Sequence, residues 1–138
     1  MNIAIVLLAL IATAFAQLRG IAITAPAVGT DITLGERLVV KVEKHDTHGL
    51  PQTDLGIVIS ITSLVDKVAR TFFNGSFTPT QHNCTGPPFQ NFTIVPTGIP
   101  TGAADVTVTH FFNLTGDPAV RWEQDQVAVD VFSETQAA

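Results

Sequence analysis

The chain has 138 residues, with 12 acidic against 7 basic side chains and a formal net charge of −5. An acidic sequence without a basic cluster is a poor ligand for nucleic acid or an anionic membrane, which excludes both as partners. One cysteine in the whole chain allows no internal disulfide, so stability has to come from packing.

The first element is the apolar run Ile3–Ile11, which leads into Ala14-Phe15-Ala16. That small-x-small ending fits signal-peptidase cleavage, and the run is too short for a membrane span of about 20 residues. Residues 1–16 are therefore read as a cleaved signal peptide and residues 17–138 as one secreted, extracellular domain starting at Gln17. The end, "VAVDVFSETQAA", carries no lipid-anchor signal.

Short alternating segments follow. "GIAITAP" alternates until Pro26, and "AVGTDITLGE" reads as a turn-rich link. In "RLVVKVEK" the inward set is Leu38, Val40 and Val42; in "LGIVISITSL" it is Ile57, Ile59 and Ile61. "DKVARTFF" is compatible with one helical turn before a strand, and "FQNFTIVP" places Phe92 and Ile94 opposite Asn91 and Thr93. "ADVTVTHFFN" sets Val106, Val108, His110 and Phe112 against Thr107, Thr109, Phe111 and Asn113; the last strand turns Val127, Val129 and Val131 inward. About seven such strands separated by turn signals predict an all-β fold, a single immunoglobulin-like antiparallel β-sandwich, without the Cys…Trp…Cys signature.

Beyond residue 16 the sequence has four asparagines, Asn74, Asn83, Asn91 and Asn113, and each begins an Asn-x-Ser/Thr sequon. Ser and Thr together are 22 of the 138 residues. Four matches in four would arise by chance on the order of once in a thousand. All four are expected to carry glycans. Cys84 lies inside one of these sequons and, as the odd cysteine of a secreted chain, is a candidate for an intermolecular disulfide or a free exposed thiol, or else a thiol shielded beside the glycan on Asn83.

Other constellations are thinner. "KHDTHG" brings His45, Asp46 and His48 together; Asp54, His82 or His110 would have to complete a metal site, and no familiar zinc spacing is present. No metal and no cofactor are expected. His82 stands two residues from Cys84, which is no evidence of a catalytic pair. His110 falls on an inward face and is expected to be a hydrogen-bonded, partly buried histidine. No carboxylate pair and no Gly-x-Ser-x-Gly elbow stands out, so no catalytic residue and no enzymatic activity are expected. Arg121-Trp122 is a candidate interface spot, since both types are enriched at binding hot spots; otherwise Trp122 starts the last strand and covers one end of the core.

"RGIAITAPAVGTDITLGERLVVKVEK" followed by "TDLGIVISI" resembles the start of the necrosis-inducing secreted protein family of fungi, at Pro26, Gly35, Val40, Val42, Asp54, Ile57 and Ile59. That resemblance implies an effector that dampens plant immunity by binding receptor-associated kinases. "ITAPAVGTDITLGERLVVKV" is also similar to the opening of fungal cell-wall synthesis and Ser/Thr-rich anchored proteins, which implies a wall module. The resulting expectation is a secreted, non-enzymatic, effector-like glycoprotein that binds a host or extracellular protein. The alternative is a cell-wall or matrix module that binds glycan or wall proteins.

Overall fold

The computed structural model describes residues 20–45, 49–82 and 86–133. The expected signal segment, Asp46, His48, Asn83 and Cys84 lie outside them. The described residues form nine strands: β1 (Ile21–Ala25), β2 (Thr30–Thr33), β3 (Leu38–Lys44), β4 (Gln52–Ser63), β5 (Ala69–Gly75), β6 (Gln81–His82), β7 (Pro88–Ile94), β8 (Gly102–Leu114) and β9 (Arg121–Phe132). They build one sheet in the order β1-β3-β7-β6 and a second in the order β2-β9-β8-β4-β5. This is the immunoglobulin-like sandwich arrangement, with β2 and β5 at the two edges of the β9-β8-β4 core. No helix among the described residues is long and apolar enough to cross a membrane.

The two strands beyond the expected count are β2 and β6. β2 carries a single buried apolar side chain, Ile32, and pairs in parallel with β9. A strand of four residues with one apolar position leaves too short an alternation to be read from sequence. The chain reaches β2 by leaving the first sheet at Pro26, which has no N–H for a ladder. It then turns at Gly29, whose φ of 80° suits glycine. The segment read as a possible helical turn before β5 is a tight turn instead. There the buried Ser63 hydroxyl accepts the N–H groups of Val65 and Asp66 at 3.1 and 3.4 Å.

Alternation does what the sequence promised along most of the core. Ile57, Ile59, Ile61, Val106 and Val108 are fully buried, with Val127, Val129 and Val131 beside them and Val40, Val42, Phe92 and Ile94 facing them from the other sheet. Each such side chain contributes about 1.5–3 kcal/mol by leaving water. Near the start of β4 the alternation shifts: the register between β4 and β8 slips between Asp54 and Gly56. Leu55 is the extra residue and stands 48% exposed. The bulge turns Asp54 from the outer face to the inner one.

Candidate functional site

The inward turn of Asp54 creates a line of alternating charge across one end of the sandwich. His110 is completely buried. Its Nε2 lies 2.8 Å from Asp54 Oδ1 and its Nδ1 lies 2.8 Å from Glu123 Oε1. Lys44 Nζ donates to the second Asp54 oxygen at 2.6 Å, and the second Glu123 oxygen accepts the Gly20 N–H at 2.8 Å. The ring of Phe77 meets the imidazole edge-on at 5.0 Å, and that of Phe112 stacks on it at 5.2 Å. Burial pushes the imidazole pKa down, but hydrogen bonds to Asp54 and Glu123 outweigh it and hold the value above the ordinary one. Burial likewise raises the Asp54 carboxyl, and the bonds from His110 and Lys44 outweigh that, leaving it below the ordinary carboxylate value.

Each ring nitrogen thus faces a carboxylate oxygen, an arrangement that favours the protonated imidazole. With the imidazole protonated, the two cations Lys44 and His110 alternate with the two carboxylates Asp54 and Glu123 along the line. Lys44 and Gly20 belong to the side of β1 and β3, whereas Asp54, His110 and Glu123 sit on β4, β8 and β9. The charges therefore lace the two sheets together without a disulfide. Gly20 packs closely there: a Cβ on it would come within 2.7 Å of a Glu123 oxygen, which would have to shift. Asp125 adds a parallel stitch by accepting the Ile23 N–H at 2.9 Å.

The outer end of this line opens into a cleft of about 660 Å³ lined by Lys44, Gln52, Asp54, Phe77, Thr78 and Pro88. A smaller hollow of about 280 Å³, next to His45, Leu50 and Pro51, shares Lys44 and Gln52 with it. The carboxamide of Gln52 is buried between them, and neither its oxygen nor its nitrogen has a hydrogen-bond partner among the described residues. A buried polar group in that condition costs about 1–3 kcal/mol unless something satisfies it. The cleft itself offers the Lys44 ammonium and the rings of Phe77 and Pro88 as apolar wall, with the Gln52 carboxamide buried behind it.

The remaining candidates sit elsewhere. Asn74 and Asn91 are exposed, and Asn113 is half-buried on the outer face of β8. Asn83 and Cys84 lie outside the described residues, as do Asp46 and His48. His45 has Nε2 3.3 Å from Glu43, and the described residues contain no cluster of three metal-binding side chains. Arg121 and Trp122 are neighbours in β9 but project to opposite faces. Arg121 is held by Asp117 at 3.0 Å, and Trp122 stands 63% exposed opposite Phe111 on the outer face, away from the core.

No protein-family model matches the sequence, and comparison with curated proteins finds no match. Among solved structures, the chain is similar to the superoxide reductase (neelaredoxin) of Ignicoccus hospitalis, at 15% identity and a TM-score of 0.50, over 86% of each chain. It also matches fibronectin(III)-like modules of CbhA from Clostridium thermocellum, at 14% identity and a TM-score of 0.39, over 82% of this chain and 46% of that one. The first likeness shows the sandwich fold. It also corrects the expectation of a chain without enzymatic activity, which rested on missing motifs: a sandwich of this shape serves an enzyme in that protein.

Sequence reasoning found His110 and its inward face. It missed the two carboxylates. Glu123 and Asp125 share the parity of Val127 along β9, so they were legible as inward acids at the end of an apolar face. Asp54 was not, because the bulge at Leu55 reverses its parity.

Proposed function

We propose that this chain is a secreted, N-glycosylated protein that acts by binding another protein, in the manner of the effectors its first half resembles. The observation that carries this reading is the cleft at the charged end of the sandwich, with Gln52 in its lining. A partner that opened the wall of the cleft would find in Gln52 an unused amide oxygen and nitrogen, the acceptor and donor that one peptide unit of an extended segment needs. Lys44 supplies charge beside it, and Phe77 and Pro88 supply apolar contact. The four sequons support passage through a secretory pathway, since the modification is made there. A glycosylated chain meets its partners outside the cytosol, so the ectodomain of a plant receptor-associated kinase is the partner class to test first.

The experiment is the oxidative burst of leaf tissue challenged with chitin, with and without this protein expressed there. The reading expects suppression that an unrelated glycosylated sandwich does not produce. An unchanged burst in the presence of folded, detectable protein overturns it. The exposed Trp122 favours a second reading, a cell-wall module that binds glycan on its outer face, and retention on insoluble chitin or glucan tests that.

A further inference from the structure

Three of the four sequons share a feature beyond the triplet itself: a phenylalanine two residues before the asparagine, in Phe72-Phe73-Asn74, Phe89-Gln90-Asn91 and Phe111-Phe112-Asn113. Phenylalanine is 9 of 138 residues. Three such coincidences in four are expected on the order of once in a thousand. Residues two apart in a strand point to the same face about 7 Å apart, so the aromatic ring and the glycosylated asparagine are placed to meet.

The fold distinguishes the three pairs. Phe72 packs against the hydrophobic core. Phe89 shares the outer face with Asn91 but is buried, with the Lys41 ammonium 4.1 Å above its ring. Phe111 belongs to neither group: it is half-buried on the outer face of β8 and lies directly opposite Trp122. Trp122 is then the diagonal neighbour of Asn113, within about 7–8 Å. Leu55 bulges out of β4 beside the same row.

We propose that this exposed row is the seat of the chain's own glycan. The first N-acetylglucosamine on Asn113 lies across Phe111 and Trp122, and it is held there as part of the folded structure. Transfer from a lipid-linked oligosaccharide forms the bond from the Asn113 amide nitrogen to the anomeric carbon. It breaks the bond from that carbon to the lipid diphosphate, which leaves, and the amide gives up one proton. The apolar face of the sugar presents C–H groups of slight positive charge to the negative face of each ring. The same contact removes from water an aromatic surface that the fold otherwise leaves open. The inference rests on the glycoprotein reading and adds what one of the glycans does.

The test uses the protein secreted from a glycosylating eukaryotic host. Occupancy at Asn113 is read by mass spectrometry before and after amidase treatment. Thermal unfolding is then compared for the intact chain, Asn113→Gln, the pair Phe111→Thr with Trp122→Thr, and all three together. Threonine already occupies this face at 107 and 109, so the double replacement is compatible with the strand. The proposal expects Asn113→Gln to lower Tm by about 3–6 °C and expects that loss to fall below about 1 °C without the rings. Asn91→Gln, whose Phe89 is covered, serves as the control and shows no such coupling. The N-acetyl methyl signal of the first sugar should also shift upfield in the intact protein and return to its usual place in the double variant. An occupied Asn113 whose loss costs the same with and without the rings overturns the stacking and leaves the glycoprotein reading standing. An unmodified Asn113 in the secreted protein overturns both at this position. Retention of the glycosylated protein on glucan through Trp122 also overturns the proposal, since the row would then be open.

Discussion

β4, β8 and β9 each run through two regions of opposite character. In one, Ile59, Val108 and Val129 pack in a belt of aliphatic side chains; a few residues along, the same strands contribute Asp54, His110 and Glu123 to the charge line. The belt is held by burial, which has no direction and tolerates exchange of one aliphatic for another. The charge line is held by bonds of fixed geometry, and each member is tolerable in the interior only because the others are present. The two regions should therefore fail differently.

The sharpest contrast comes from truncating one member of each. His110→Ala leaves two carboxylates facing each other without their shared partner, and the expected loss is about 3–5 kcal/mol. Ile59→Ala leaves a cavity in the belt and should cost about 2–5 kcal/mol. Denaturant unfolding at several pH values separates them: the Ile59 penalty is the same throughout, whereas the His110 penalty depends on pH. Equal, pH-independent losses would erase the distinction.

The direction of that dependence follows from the shifts. His110 has a folded pKa above its unfolded value, so its contribution is complete below about pH 6.5 and is lost as pH rises through the folded value. Asp54 has a folded pKa below its unfolded one, so its contribution is present above about pH 3.9 and disappears as pH falls through the folded value. Stability measured across pH should therefore show a plateau between the two, declining on the alkaline side through the imidazole and on the acid side through the carboxylate. In His110→Ala the alkaline decline should vanish.

A smaller effect tests the far end of the line. Gly20→Ala pushes a methyl group against the Glu123 carboxylate that bonds both Gly20 N–H and His110. The expected cost is about 1–3 kcal/mol, read by denaturant unfolding. The same substitution at Gly29, where a Cβ would meet no atom within 4 Å, should act only through its positive φ.

The difference between the regions also explains what the sequence could reveal. The belt advertises itself, because Ile57-x-Ile59-x-Ile61 and Val127-x-Val129-x-Val131 repeat with the period of a strand. His110 could be read because it interrupts one such repeat in register. The partners of His110 come from strands 56 and 13 residues away, and no local pattern joins them. Asp54 is further concealed by the bulge, which a period-2 reading cannot anticipate. The Gln52 cleft depends on two hollows meeting at one side chain, and no spacing in the sequence encodes that. The pairing of Phe111 with Asn113 was local and legible, while the presence of Trp122 opposite it required the register of β8 and β9.

The functional account assigns partner binding to the cleft at the charged end of the sandwich. The most direct measurement is the chitin-triggered burst in leaf tissue expressing the wild-type chain, Gln52→Leu or Val58→Thr at equal levels of folded protein. The account predicts suppression by the wild-type chain and by Val58→Thr, whose change lies on the outer face, and loss of suppression with Gln52→Leu. Undiminished suppression by Gln52→Leu would contradict it.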